Sequence, residues 1–140
     1  MKNVKQFLNF FLIFLIFQTH NINAQSNNSD LKRVWMLVEF QQFKRTYLVQ
    51  LKAKMDLTNL KRPFAKMGCN NIGFQLKVYK TKLKLTKVFR SKMVCDSIMD
   101  LENEFCKLLP DYQYYKIAKH QLTLKNAKGN KMVFIAQDWD

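Results

Sequence analysis

Hydrophobic positions along this chain change their spacing four times, and each change marks an element. The first stretch, "FLNFFLIFLIF" from Phe7 to Phe17, is apolar at ten of eleven positions. Lys2 and Lys5 precede it and the polar stretch "QTHNINAQS" follows. The run is too short for a bilayer, which needs about 20 apolar residues. The order of charge, apolar run and small residue is that of a secretory signal peptide. Ile22 and Ala24 take the −3 and −1 positions of a signal-peptidase site, so residues 1–24 are expected to be removed and Gln25 to become the first residue. The competing reading is an uncleaved membrane anchor. No cysteine follows the run until Cys69, so a lipoprotein anchor is not expected.

Beyond a short polar leader, 25–32, the spacing becomes that of strands. "RVWMLVEF" (Arg33–Phe40) is a nearly continuous apolar run rich in β-branched and aromatic residues, the mark of a buried strand. "TYLVQLKAKMDL" (Thr46–Leu57) alternates in its second half. Val49, Leu51, Ala53 and Met55 fall on one side, and lysines, Gln50 and Asp56 on the other, predicting a half-exposed strand. "FQLKVYKTKLKLTKVF" predicts a hairpin, with Leu76 and Val78 facing Leu83 and Leu85 and a turn near Tyr79–Thr81. The period then lengthens. Ile98, Leu101, Phe105 and Leu108 form one stripe of a helix, opened by Ser97 and Asp100 as a capping-box-like pair and closed by Pro110. Asp96 and Asp100 suit its N-terminal dipole. "YQYYKI", "HQLTLK" and "KMVFIAQ" predict three more strands, the last two joined by a loop at Asn126–Asn130. The sum is one α+β domain over 33–140, sheet-dominated and antiparallel, with a single helix between its halves.

Charge sharpens this picture. Two of the 24 bases and none of the 10 acids precede Gln25, so the net charge falls from +14 to +12 in the expected mature chain of 116 residues. Between Asp56 and Asp96 there are ten bases and no acid, whereas five of the ten acids crowd into Asp96–Asp111. The domain is a dipole with a basic middle. Lys77, Lys80, Lys82, Lys84 and Lys87 in the hairpin could contact an anionic surface such as phospholipid headgroups. Lysines that alternate with core positions are equally those of a solvated strand face, the reading the alternation favours. Aromatic residues are not interleaved with these lysines as a stacking platform requires, and no nucleic acid is expected.

Four segments, in order, resemble the HslJ/META-domain family. They are the W-x-L opening of "RVWMLVEF", the turn "MGCNNIGF" with Gly68, Cys69, Asn70 and Gly73, the "SKMVC" segment with Ser91, Met93 and Cys95, and the acidic helix with Glu104 before the "QLTLKNAKGNKMVF" hairpin. Serine stands at Ser91 where the family usually has threonine. The resemblance implies a barrel-like, strongly curved antiparallel sheet with one packed helix. It further implies a bacterial envelope protein associated with stress, without an established enzymatic activity.

The cysteines admit three chemistries. Zinc ligands usually come in pairs two to four residues apart, and Cys69, Cys95, Cys106 and His120 offer no such pair, so no metal or cofactor is called for. A catalytic thiol at Cys69 or Cys106 would need a base and an oxyanion donor, and nothing in the sequence brings His120 to either. A staple fits best. Disulfides persist outside the cytoplasm, Cys69 precedes the hairpin and Cys95 follows it, and the bond would tie the turn to the far arm. Gly68 and Gly73 would shape that turn, Asn70 and Asn71 would tolerate its dihedrals, and Cys106 would be left as a partly buried, inert thiol. The function expected is a non-enzymatic module of the cell envelope, periplasmic or secreted, meeting an envelope protein or an anionic surface and not spanning the membrane after cleavage. The alternatives are a thiol-dependent enzyme and a binder of anionic envelope lipids.

Overall fold

Alternation in "VWMLVEF" sends Trp35 and Leu37 to the inner side of strand β1 (Val34–Phe40), and a bulge between Leu37 and Glu39 shifts the phase so that Phe40 is buried there too, the others being at least partly exposed. The computed structural model describes residues 28–93, 95 and 98–139. The expected signal peptide, residues 1–24, and the caps Asp96 and Ser97 lie outside the described residues. Strands β2 (Lys54–Asp56), β3 (Phe64–Lys66), β4 (Asn71–Tyr79), β5 (Lys82–Arg90), β6 (Tyr112–Ala118), β7 (Gln121–Asn126) and β8 (Lys131–Ala136) follow. Each pairs antiparallel with the next, and β8 returns to β1 with Trp35 opposite Ala136 and Phe40 opposite Met132. The result is a closed eight-stranded barrel. Its interior is filled by buried side chains, one of the two arrangements that a barrel of this size allows.

The seam between β5 and β6 is the barrel's thinnest. The strands meet at Lys82 and Tyr114, helped by the Tyr115 N–H donating to the Thr81 carbonyl at 3.1 Å. Helix α3 (Met99–Leu108) and a 3-10 turn, Leu109–Asp111, connect the two strands and lie beside the free half of β5. Helix α3 buries Leu101 and Phe105 against the end of the barrel where β1, β3 and β5 finish, with Phe105 meeting Phe40 edge-on at 6.1 Å. Pro110 stands in the 3-10 turn that ends the helix.

Two sequence expectations are corrected. Residues Thr46–Gln50 are not strand: Arg45–Gln50 form a short helix, α2, with Leu48 fully buried and Val49 45% exposed. The helix stops in a Schellman motif. Lys52 adopts φ 51°, its N–H donates to the Val49 carbonyl, and the Ala53 N–H donates to the Leu48 carbonyl at 3.0 Å. Period two begins only at Ala53, whose burial repeats at Met55 and Leu57. The leader is also not flexible throughout. Asn28–Leu31 form a helical turn, α1, that plugs the opposite end of the barrel with Leu31. Trp35 fixes it there, its indole N–H donating to the Leu31 carbonyl at 2.9 Å. A buried indole needs an acceptor, and only the chain before β1 supplies this one.

The candidate site: a buried carboxylate and a disulfide under the helix

Gly68 turns the chain out of β3 at φ +124°, a conformation that side chains rarely adopt. A Cβ at Gly68 would also stand 3.2 Å from the Ile98 side chain. Gly68→Ala is therefore expected to destabilise the protein by about 1–3 kcal/mol, measured by urea unfolding. A midpoint unchanged from the parent would contradict this reading of the turn.

The next residue, Cys69, is bonded to Cys95, with Cα atoms 6.2 Å apart. Asn70 then enters the interior completely. Its side-chain oxygen accepts from the Ser91 hydroxyl at 2.7 Å and the Met93 N–H at 2.9 Å. Its amide donates to the Met93 carbonyl at 3.0 Å and to Glu102 Oε1 at 2.7 Å. Its own backbone N–H donates to Glu102 Oε2 at 2.8 Å. Asn70 is thus a bridge between the turn, the segment after β5 and the helix, not a residue chosen for unusual dihedrals. Glu102 is likewise fully buried, and Arg90 closes its shell, donating to Oε1 at 3.2 Å and to Asn103 Oδ1 at 2.6 Å. A carboxylate taken out of water is tolerable only with such partners.

Gly73 departs from its expected role. It is the third residue of β4, not part of the turn, and the Phe89 ring lies across it so closely that a Cβ would collide with the ring. Asn71 simply begins β4. His120 is nowhere near Cys69. It stacks on Trp139 at 5.2 Å and takes a 3.4 Å contact from Arg33, whose guanidinium also grips Asp138 at 2.7 Å. That grip holds the Asp138 carboxyl below the usual carboxylate range. Cys106 is half-buried on α3, and burial pushes its thiol up, with Glu102 adding to and Arg90 opposing the shift.

Lys77, Lys82 and Lys84 all point outward from β4 and β5, Lys80 sits in the turn and Lys87 in a bulge. One further expectation is corrected here. Aromatic residues do stand among these lysines, because the hairpin sets Tyr79 opposite Lys82 and the β5–β6 seam sets Lys82 opposite Tyr114, the Lys82 ammonium lying 5.3 Å from that ring's centre.

The residue missed in the sequence is Glu102. It stands four positions after Ile98 and three before Phe105, so an acid lay on the apolar stripe. Arg90 gave no signal, and Ser91 stood out only through the family resemblance, its partner Asn70 lying 21 residues earlier.

A closed antiparallel meander whose long connection carries a helix, locked by a buried acid and a disulfide, defines a small β-barrel domain with a covered end. The chain belongs to the META-domain family, whose model matches residues 29–139. Two solution NMR structures share the fold. One is 15% identical with a TM-score of 0.59, over 81% of this chain and 97% of its own. The other, from Burkholderia xenovorans, is 14% identical with a TM-score of 0.60, over 83% of this chain and 92% of its own. No curated protein sequence matches the chain.

Proposed function

We propose that this META-domain protein is exported and serves the bacterial cell envelope as a non-enzymatic interaction module supporting stress tolerance. The observation that carries the non-enzymatic reading is the state of Glu102. It is fully buried, and both its oxygens accept hydrogen bonds inside the fold, Oε2 from the Asn70 N–H and Oε1 from the Asn70 amide and Arg90, so the carboxylate does not face a substrate. The thiols support the same reading. Cys69 is spent in a disulfide, and Cys106 has its pKa raised by burial, which keeps it protonated where a nucleophile needs thiolate. The motif that looked chemical therefore works as a lock, and function passes to the outer surface.

One measurement tests both halves of the proposal. Protein recovered from producing cells is treated with iodoacetamide before unfolding, without reduction, and its mass is read intact and after digestion. The expected result is a chain beginning at Gln25, with Cys69 linked to Cys95 and Cys106 unlabelled at neutral pH but increasingly labelled as pH rises. A chain retaining residues 1–24 and recovered from the cytoplasmic fraction overturns export, and rapid labelling of Cys106 at neutral pH reinstates a thiol enzyme.

A further inference from the structure

Resting on the reading of this protein as a binding module, we infer that the outer face of β4–β8 docks on an anionic phospholipid surface. The strand registers carry the inference. Tyr79 stands opposite Lys82, Lys82 opposite Tyr114, Tyr114 opposite Lys125, and Lys125 opposite Lys131. One continuous row thus crosses five strands, with two tyrosines set among three lysines, and it ends where Lys131 pairs with Glu39 of β1 at 2.9 Å. More lysines flank this row on both sides. Lys77 and Lys84 face each other directly two residues to one side of it, and Lys116, beside Thr123, lies two residues to the other side. No strand from β4 to β8 contains an acid.

Three features select the occupant. First, the cations are spread in two dimensions. Strands lie about 4.8 Å apart, so the row extends about 20 Å around the barrel wall, with Lys77 and Lys84 about 7 Å to one side of it and Lys116 about 7 Å to the other. A two-dimensional array of cations matches a two-dimensional array of phosphates better than a single threaded polymer. Secondly, Tyr79 is 54% and Tyr114 39% exposed, and tyrosine suits the headgroup layer because one end is apolar and the other wet. The Tyr114 face is already occupied by the Lys82 ammonium, which leaves it poorly placed to stack a base. Thirdly, Lys77 and Lys84 repel one another across β4 and β5 in the free protein. An anionic surface relieves that repulsion, so contact is favoured there beyond the simple count of charges.

The test uses the chain from Gln25 onward, because residues 28–139 close the barrel and bury its core by themselves. Binding is measured by co-sedimentation with vesicles of equal phosphatidylglycerol and phosphatidylcholine, with phosphatidylcholine vesicles, and with a single-stranded DNA oligonucleotide. Attraction acts within a Debye length of about 8 Å at physiological salt. Binding to the anionic vesicles should therefore far exceed that to neutral ones and fall as salt rises. Lys82→Gln, Lys125→Gln and Lys131→Gln together should weaken it by roughly tenfold to a hundredfold, at about one decade or less per lysine. The triple change Lys44→Gln, Lys61→Gln and Lys66→Gln, equal in charge but off this face, should weaken it by less than threefold or so. Equal losses in the two triples would overturn the inference, since net charge alone would then explain binding. So would absence of binding to anionic vesicles, or tighter binding to the oligonucleotide at the same salt. None of these failures touches the thiol and leader measurements, which decide the module reading separately.

Discussion

Glu102→Ala should lower the unfolding free energy by about 3–5 kcal/mol, the usual cost of removing one partner from a buried, hydrogen-bonded charge network. The deleted carboxylate accepts from the Asn70 backbone N–H, shares the Asn70 amide with the Met93 carbonyl, and balances Arg90. No water can replace it cheaply, because Glu102 and Asn70 are both fully buried. Arg90, by contrast, keeps 35% of its side chain exposed and can turn to solvent, so most of the loss belongs to the stranded donors of Asn70. Glu102→Gln sharpens the test. It keeps the shape but can offer only one oxygen, and its amide must face donors, so about 2 kcal/mol should still be lost. Urea unfolding of the three proteins measures this. A loss below 1 kcal/mol in the alanine variant would mean that the network contributes to geometry without stabilising the fold.

Removing the Cys69–Cys95 bond, by Cys69→Ser with Cys95→Ser, should cost about 3.5 kcal/mol on the loop-entropy account of a bond with this sequence separation. The bond joins residues 26 apart and encloses the whole β4–β5 hairpin. Without it, the unfolded chain regains the freedom of that loop. The folded chain keeps the Asn70 hydrogen bonds to Ser91 and Met93, which hold the same segment after β5. The two locks therefore share a load. Combining Glu102→Ala with the cysteine pair should not cost the sum of the separate losses, and the difference, read from the same unfolding curves, should exceed about 0.5 kcal/mol. Strict additivity would show that the disulfide and the carboxylate act on independent parts of the structure.

Much of this molecule was determined by the spacing of its residues alone. Period two set the hairpin of β4 and β5 and the last three strands, because alternate residues of a strand reach opposite faces whatever lies around them. The stripe from Leu101 to Phe105 set α3 for the same reason at a longer period. The two cysteines flanking one hairpin announced their pairing, since antiparallel arms return to the same end. What the spacing could not decide were outcomes that depend on neighbours distant in sequence. Residues Arg45–Gln50 carry β-branched and aromatic side chains, yet turn into helix because Leu48 finds a pocket and Lys52 accepts a left-handed backbone to bring Ala53 back toward β1. Leu31 looks like the end of a polar leader until Trp35 needs its carbonyl. Glu102 was visible as an acid on an apolar stripe, but Asn70 arrives from a turn 32 residues earlier, and only the closed barrel brings the two together. The β5–β6 seam likewise set Tyr114 beside Lys82, whereas Tyr79 comes opposite Lys82 through the hairpin turn alone. Lysine and tyrosine spacing within one strand is a local property, whereas their neighbours across strands are fixed by register, which the core imposes through the burial of the opposite face.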